Sequence, residues 1–171
     1  MATLAPEAVP RRRAAKPLAP DLYEKLLSVG AVLLLVAVAI ALVKGRADWP
    51  RVPLVVWPHL LTIVLAVALT PVMLLRRRGD RQHRVLGYVW IAAMLATAAS
   101  SFFIRSTGAF SWIHLLSIWT LVQVPLLWWR ARRHDVAAHR SGVRGIVTGA
   151  LLIAGFFTFP FDRLLGHWLF A

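Results

Sequence analysis

The stretch that decides the fold is Trp57-Pro58-His59-Leu60-Leu61-Thr62-Ile63, because it returns about 55 residues later as Trp112-Ile113-His114-Leu115-Leu116-Ser117-Ile118. The correspondence continues downstream. Each copy has a proline in its apolar run (Pro71, Pro125) and then an arginine cluster (Arg76 to Arg78; Arg130, Arg132 and Arg133). An aspartate follows (Asp80, Asp135), then a His-Arg pair (His83-Arg84, His139-Arg140) and a second apolar run. Two copies with two apolar runs each predict a duplicated helical hairpin, with repeats over 54–104 and 109–160.

Working outward, five apolar runs are visible: Leu26–Val43, Leu54–Leu75, Val85–Ile104, Trp112–Trp129 and Val143–Phe161. Each is close to the roughly 20 residues needed to cross a bilayer core as helix. The runs are continuously apolar rather than alternating, which predicts helices and not a barrel. With 59% hydrophobic residues in 171, the expected fold is an all-α polytopic membrane protein with five transmembrane helices. Its organisation is a disordered cytoplasmic tail (1–20), an N-terminal helix (21–46) and a four-helix membrane domain (53–171) made of the two hairpins. The first run carries small residues at its end (Ala37, Ala39, Ala41), as a signal peptide would. Its length exceeds the roughly 7–15 residues of such a segment, so a retained anchor is the expectation. It has no histidine and lies outside the repeat, and reads as an added helix.

The net charge of +13 does not point to nucleic acid. Its arginines lie between apolar runs rather than along a solvated face. They crowd before the first run, between the second and third, and between the fourth and fifth, whereas the alternate loops are poorer in them. This positive-inside pattern places the N-terminus in the cytoplasm and the C-terminus in the periplasm, for a multi-pass protein of a bacterial inner membrane. Trp49, Trp57, Trp112 and Trp168 fall near the outer boundaries, and Trp128 and Trp129 near the inner one.

The chain has no cysteine, which excludes thiolate metal sites and disulfides and leaves histidine and carboxylate as metal ligands. There is no glycine-rich phosphate loop, no nucleophile beside a base and no pair of intramembrane carboxylates. Hydrolytic and transferase chemistry therefore have no visible machinery. The histidines are the remaining candidates. His59 and His114 lie about a turn inside their helices on the outer side, and His83 and His139 at the inner ends of theirs. Paired across a bundle, each couple matches the axial ligation of a b-type haem, and two such haems would form a transmembrane electron relay. Gly87 and Gly142 would admit a flat macrocycle, Arg84 and Arg140 would meet its propionates, and Thr62 and Ser117 would orient ring nitrogens. The competing expectation is a non-catalytic structural or assembly subunit whose histidines hydrogen-bond between helices. In it the His-Arg pairs are positive-inside flanks, and Asp80 and Asp135 are explained by turn chemistry or as helix N-caps. The bilayer is the first partner, and a quinone or redox protein would follow from the haem reading. No donor, acceptor or oligomeric state is legible.

Several motifs resemble the bacterial predicted membrane proteins grouped as domain-of-unknown-function family 2306. They are His83-Arg84-x-x-Gly87, Ala98-x-x-Ser101-Phe102-x-Ile104, Gly108-x-Phe110-Ser111-x-Ile113-His114-Leu115-Leu116-Ser117, His139-Arg140, and Ala154-Gly155-x-x-Thr158-Phe159-x-x-x-Arg163. The likeness runs from about His59 to Arg163. It departs at Ser141-Gly142-Val143, where the family usually has a methionine, and at Phe161-Asp162-Arg163, where it tends to Pro-Gly-Arg. The resemblance implies a membrane protein and no particular activity. In plan, four helices with four histidines are also similar to the transmembrane b-type cytochromes, an analogy of architecture alone.

Overall fold

A computed structural model describes residues 19–104, 112–160 and 163–170. Most of the tail, the loop around Ser106-Thr107-Gly108, and Phe110, Ser111 and Asp162 lie outside the described residues. All regular structure within them is helical.

Helix α1 (Leu22–Lys44) begins on a capping box: Asp21 accepts from the Glu24 amide at 3.1 Å while Glu24 accepts from the Asp21 amide at 3.2 Å. A 3₁₀ segment, Gly45–Arg51, turns the chain into α2 (Val56–Leu75), which carries Pro71 inside it. Helix α3 (Arg81–Ser101) starts on Asp80, whose carboxylate accepts from the His83 amide at 2.6 Å. Helix α4 (Trp112–Arg132) contains Pro125. Helix α5 (Val136–Ile146) starts on Asp135, which accepts from the Ala138 amide at 3.0 Å. The two aspartates are thus N-caps. The residue before each is left-handed, Gly79 at φ 82° and His134 at φ 58°, so both turns reverse the chain by the same device.

The fifth apolar run is not a uniform helix. It passes from α5 into a π-helical stretch, Val147–Ile153, and then the short α6 (Ala154–Phe156); α7 (Leu164–Phe170) follows. Three helical stretches among the described residues are long and apolar enough to cross a membrane: Leu22–Arg51, Val56–Leu75 and Arg81–Ser101.

Sequential helices pack as neighbours, α1 on α2, α2 on α3, α3 on α4 and α4 on α5. Helix α1 also packs against the π-helical stretch and α7, so it closes the bundle. The central core includes Leu27, Leu74, Trp90, Met94, Val124 and Leu127, and Trp90 donates to Thr70 Oγ1 at 3.1 Å within it. Outside, large side chains such as Leu33 (64% exposed), Leu61 (71%) and Leu115 (60%) face away from the protein. An apolar exterior over buried hydroxyls and histidine is what a bilayer, not water, accommodates.

Candidate functional site

The two ends of the bundle are built from different chemistry. At the basic end, the start of α1 meets the α2–α3 turn and the first turns of α5. Glu24 is buried, with 1% of its side chain exposed. Its carboxylate receives Arg78, Arg140 (Nε at 2.7 Å, Nη2 at 2.8 Å) and Arg144 (Nε at 3.2 Å). Asp21 pairs with Arg144 and, at 3.2 Å, with Arg140. Two acids of α1 therefore neutralise arginines from both basic segments, and the buried carboxylate has the several donors that such a charge requires. Outside this cluster, Arg133 lies over Trp129 at 4.1 Å and Arg132 over Trp128 at 5.4 Å. These are amphipathic pairs suited to a membrane boundary.

His83 and His139 belong to this end. His139 Nδ1 is 3.0 Å from the Leu127 carbonyl oxygen of α4, and His83 lies within electrostatic reach of His139, Arg78 and Arg76. Arg84 donates to the Gly79 carbonyl at 3.1 Å, whereas Arg140 is held by Glu24 and Asp21. A Cβ at Gly142 would collide with the Leu127 side chain, so the missing side chain there admits Leu127. At Gly87 a Cβ would meet only Met73 Cε, at 3.6 Å.

Toward the opposite end the bundle forms a half-open cavity of about 430 Å³, within the range of about 300–1,000 Å³ typical of ligand sites. Most of its wall is apolar: Leu34 and Val38 of α1, Ile63 and Val67 of α2, Met94 of α3 and Leu151 of the π-helical stretch. His59 from α2 and His114 from α4 both line it. His59 Nδ1 is 3.1 Å from both the Thr97 carbonyl oxygen and Ser100 Oγ, which commits that nitrogen to α3. Thr62 does not take this part. Its hydroxyl donates to the Pro58 and His59 carbonyls, at 2.9 and 3.0 Å, and receives Thr97 Oγ1 at 2.8 Å. His114 is 4% exposed, and its ring lies 5.6 Å from that of Phe102. Ser101 donates to Ser117 Oγ at 2.7 Å. Thr97, Ser100 and Ser101 thus form a hydroxyl row at the end of α3 that ties α2 and α4 to it.

The sequence reading missed three contributors: Glu24, the α3 hydroxyl row and Arg163, which lines the cavity. Signals existed for all three, and Arg163 closes one of the motifs quoted above. Glu24 is an acid immediately before a long apolar run, in a chain with only seven acids, and Thr97-Ala98-Ala99-Ser100-Ser101 is a polar patch inside another such run. Among the described residues no group of three or more histidines and carboxylates is placed to hold a metal ion. No curated protein matches the chain, and no solved structure matches it. Residues 56–159, more than half of the chain and including His59, His83, His114 and His139, match the predicted membrane proteins of family DUF2306, and the chain belongs to that family.

Proposed function

We propose that this membrane protein binds b-type haem at the His59/His114 cavity and serves electron transfer in the membrane; the surroundings of His83 and His139, with Leu127 in the room beside Gly142 and Arg140 held by Glu24, do not fit a second haem. The observation that carries the reading is that two histidines, from α2 and α4, line one cavity of about 430 Å³. Intramembrane ionisable groups are costly and usually functional. The hold on His59 fits as well. With Nδ1 committed to a backbone carbonyl, Nε2 is the nitrogen offered to a metal, the arrangement in which ligand histidines are usually fixed. A bound haem would supply one-electron chemistry. The residues would ligate it, exclude water and set its depth.

The reading includes five spans in a bacterial inner membrane, with the N-terminus and the arginine-rich end cytoplasmic. Reporter fusions at Arg78 and Arg133 are expected to read cytoplasmic and one at position 108 external.

A second reading has its own support. The same bonds of His59 to α3 and of His139 to α4 are interhelical ties, which a structural or assembly subunit would need and which require no cofactor. Visible spectroscopy separates the two. The protein purified from haem-supplied cells is expected to show a Soret band, and His59→Ala or His114→Ala should remove it with helical content retained. A colourless wild-type protein would establish the structural reading instead.

A further inference from the structure

Arg163 is the one arginine, lysine or carboxylate residue among the described residues of the cavity wall. The rest of the wall is apolar apart from the two histidines and a few hydroxyls, so its one permanent charge stands out. Arg163 is also held in place. It precedes α7, and its carbonyl accepts from the His167 amide at 2.8 Å. That helix is pinned by Trp168, buried to 3% against Ala41 and Val52, and by Lys44 Nζ, which donates to the Leu169 carbonyl at 2.8 Å. The α1 and α7 ends therefore fix the backbone that places Arg163 in the cavity wall. At the other end of the bundle, Arg78, Arg140 and Arg144 have Glu24 and Asp21; no aspartate or glutamate among the described residues lines this cavity.

We infer that the occupant of the cavity is an anionic amphiphile, whose carboxylate or phosphate group meets Arg163 while its apolar body fills the space between α1 and α4. A planar guanidinium pairs with such oxyanions through two parallel N–H bonds, and does so most strongly where water is excluded. The inference rests on the cavity being the binding site proposed above. It assigns the anionic contact of a haem there to Arg163, in place of Arg84 or Arg140. A fatty acid offers the same chemistry, a carboxylate on an apolar body, and the test distinguishes the two sources.

The full chain in non-ionic detergent is titrated with four probes: haem, haem dimethyl ester, palmitate and hexadecanol. Affinity is read by tryptophan quenching and thermal shift, and histidine ligation by the Soret band. The wild type is expected to prefer at least one acid over its uncharged counterpart by about tenfold. Arg163→Gln should reduce that preference to about twofold or less, and Arg163→Lys should keep part of it. Circular dichroism of each variant confirms the fold, and the preference within the wild type is informative even if a variant unfolds. Haem binding with a histidine-dependent Soret band and an acid preference supports both readings. Palmitate preference without haem binding keeps the Arg163 assignment and overturns the haem proposal. Equal affinity for acid and neutral probes, a preference unchanged in Arg163→Gln, or no binding of any probe overturns the assignment.

Discussion

The basic end and the cavity end use the same residue type, histidine, in opposite surroundings. At the basic end the histidines sit among arginines, and the space between helices is filled: Leu127 occupies the room at Gly142, and Glu24 occupies the middle of the arginine cluster. At the cavity end the histidines sit among apolar side chains and hydroxyls around an open volume. The contrast teaches that repeated motifs need not become repeated sites. His59 and His114 occupy equal places in their motifs. His83 and His139 do not, because His83 is the third residue after its N-cap and His139 the fourth after its own. One residue is about 100° of helix rotation. That offset is consistent with the different fates of the adjoining arginines, Arg84 on a turn carbonyl and Arg140 on Glu24.

The largest expected effect separates the two ends directly. Glu24→Gln leaves three partly buried arginines without their shared carboxylate, and should destabilise the protein by about 3–5 kcal/mol, measured as unfolding in detergent. If it costs no more than His59→Ala, the basic end is not the structural anchor that its geometry implies. Gly142→Ala comes next. Its new methyl group meets Leu127, and such overpacking costs about 1–3 kcal/mol; paired with Leu127→Ala, the two should cost less than the sum of the single changes, because the cavity that truncation opens would receive the methyl. His59→Ala, which removes a bond to α3 but sits beside open volume, should cost only about 1 kcal/mol while abolishing the spectroscopic signal proposed for the cavity.

The smallest effect is a pH dependence confined to the basic end. The His83 amide, and then Arg76, hold the Asp80 carboxyl below its ordinary range. The Glu24 amide and Arg144 do the same for Asp21. A carboxyl whose pKa is lower in the folded state contributes stability above its unfolded pKa of about 4, and that contribution is lost as pH falls through the folded value. The thermal midpoint should therefore drop below about pH 4, and Asp80→Asn should flatten part of the drop. A pH profile unchanged by Asp80→Asn would remove that cap from the account.

Much of the candidate site was legible in residue types. His59 and His114 stood out as ionisable groups inside apolar runs, and both reach the cavity. Asp80 and Asp135 read as turn residues or N-caps, and they are N-caps. Helix α1 was less legible. It reads as an appendage because it lacks histidine and repeat partners, yet it forms one wall of the cavity and supplies the acids that neutralise the basic end. Its apolar residues run all round the helix, so hydrophobic periodicity marks no inward face.

The sequence by itself determined that the chain is helical and belongs to a membrane, because apolar run length and the composition between runs set both without reference to neighbours. It also determined where α3 and α5 begin, through capping chemistry local to a few residues. Only the tertiary structure decided that Arg140 meets Glu24, 116 residues away, that a hydroxyl row on α3 orients His59, and that Arg163 reaches the cavity. Those outcomes depend on the rotation of each helix about its axis and on which helix lies beside it. Where the long helices α1 to α4 have no marked apolar side, packing and buried polar pairing settle both, and neither is a property of any single segment.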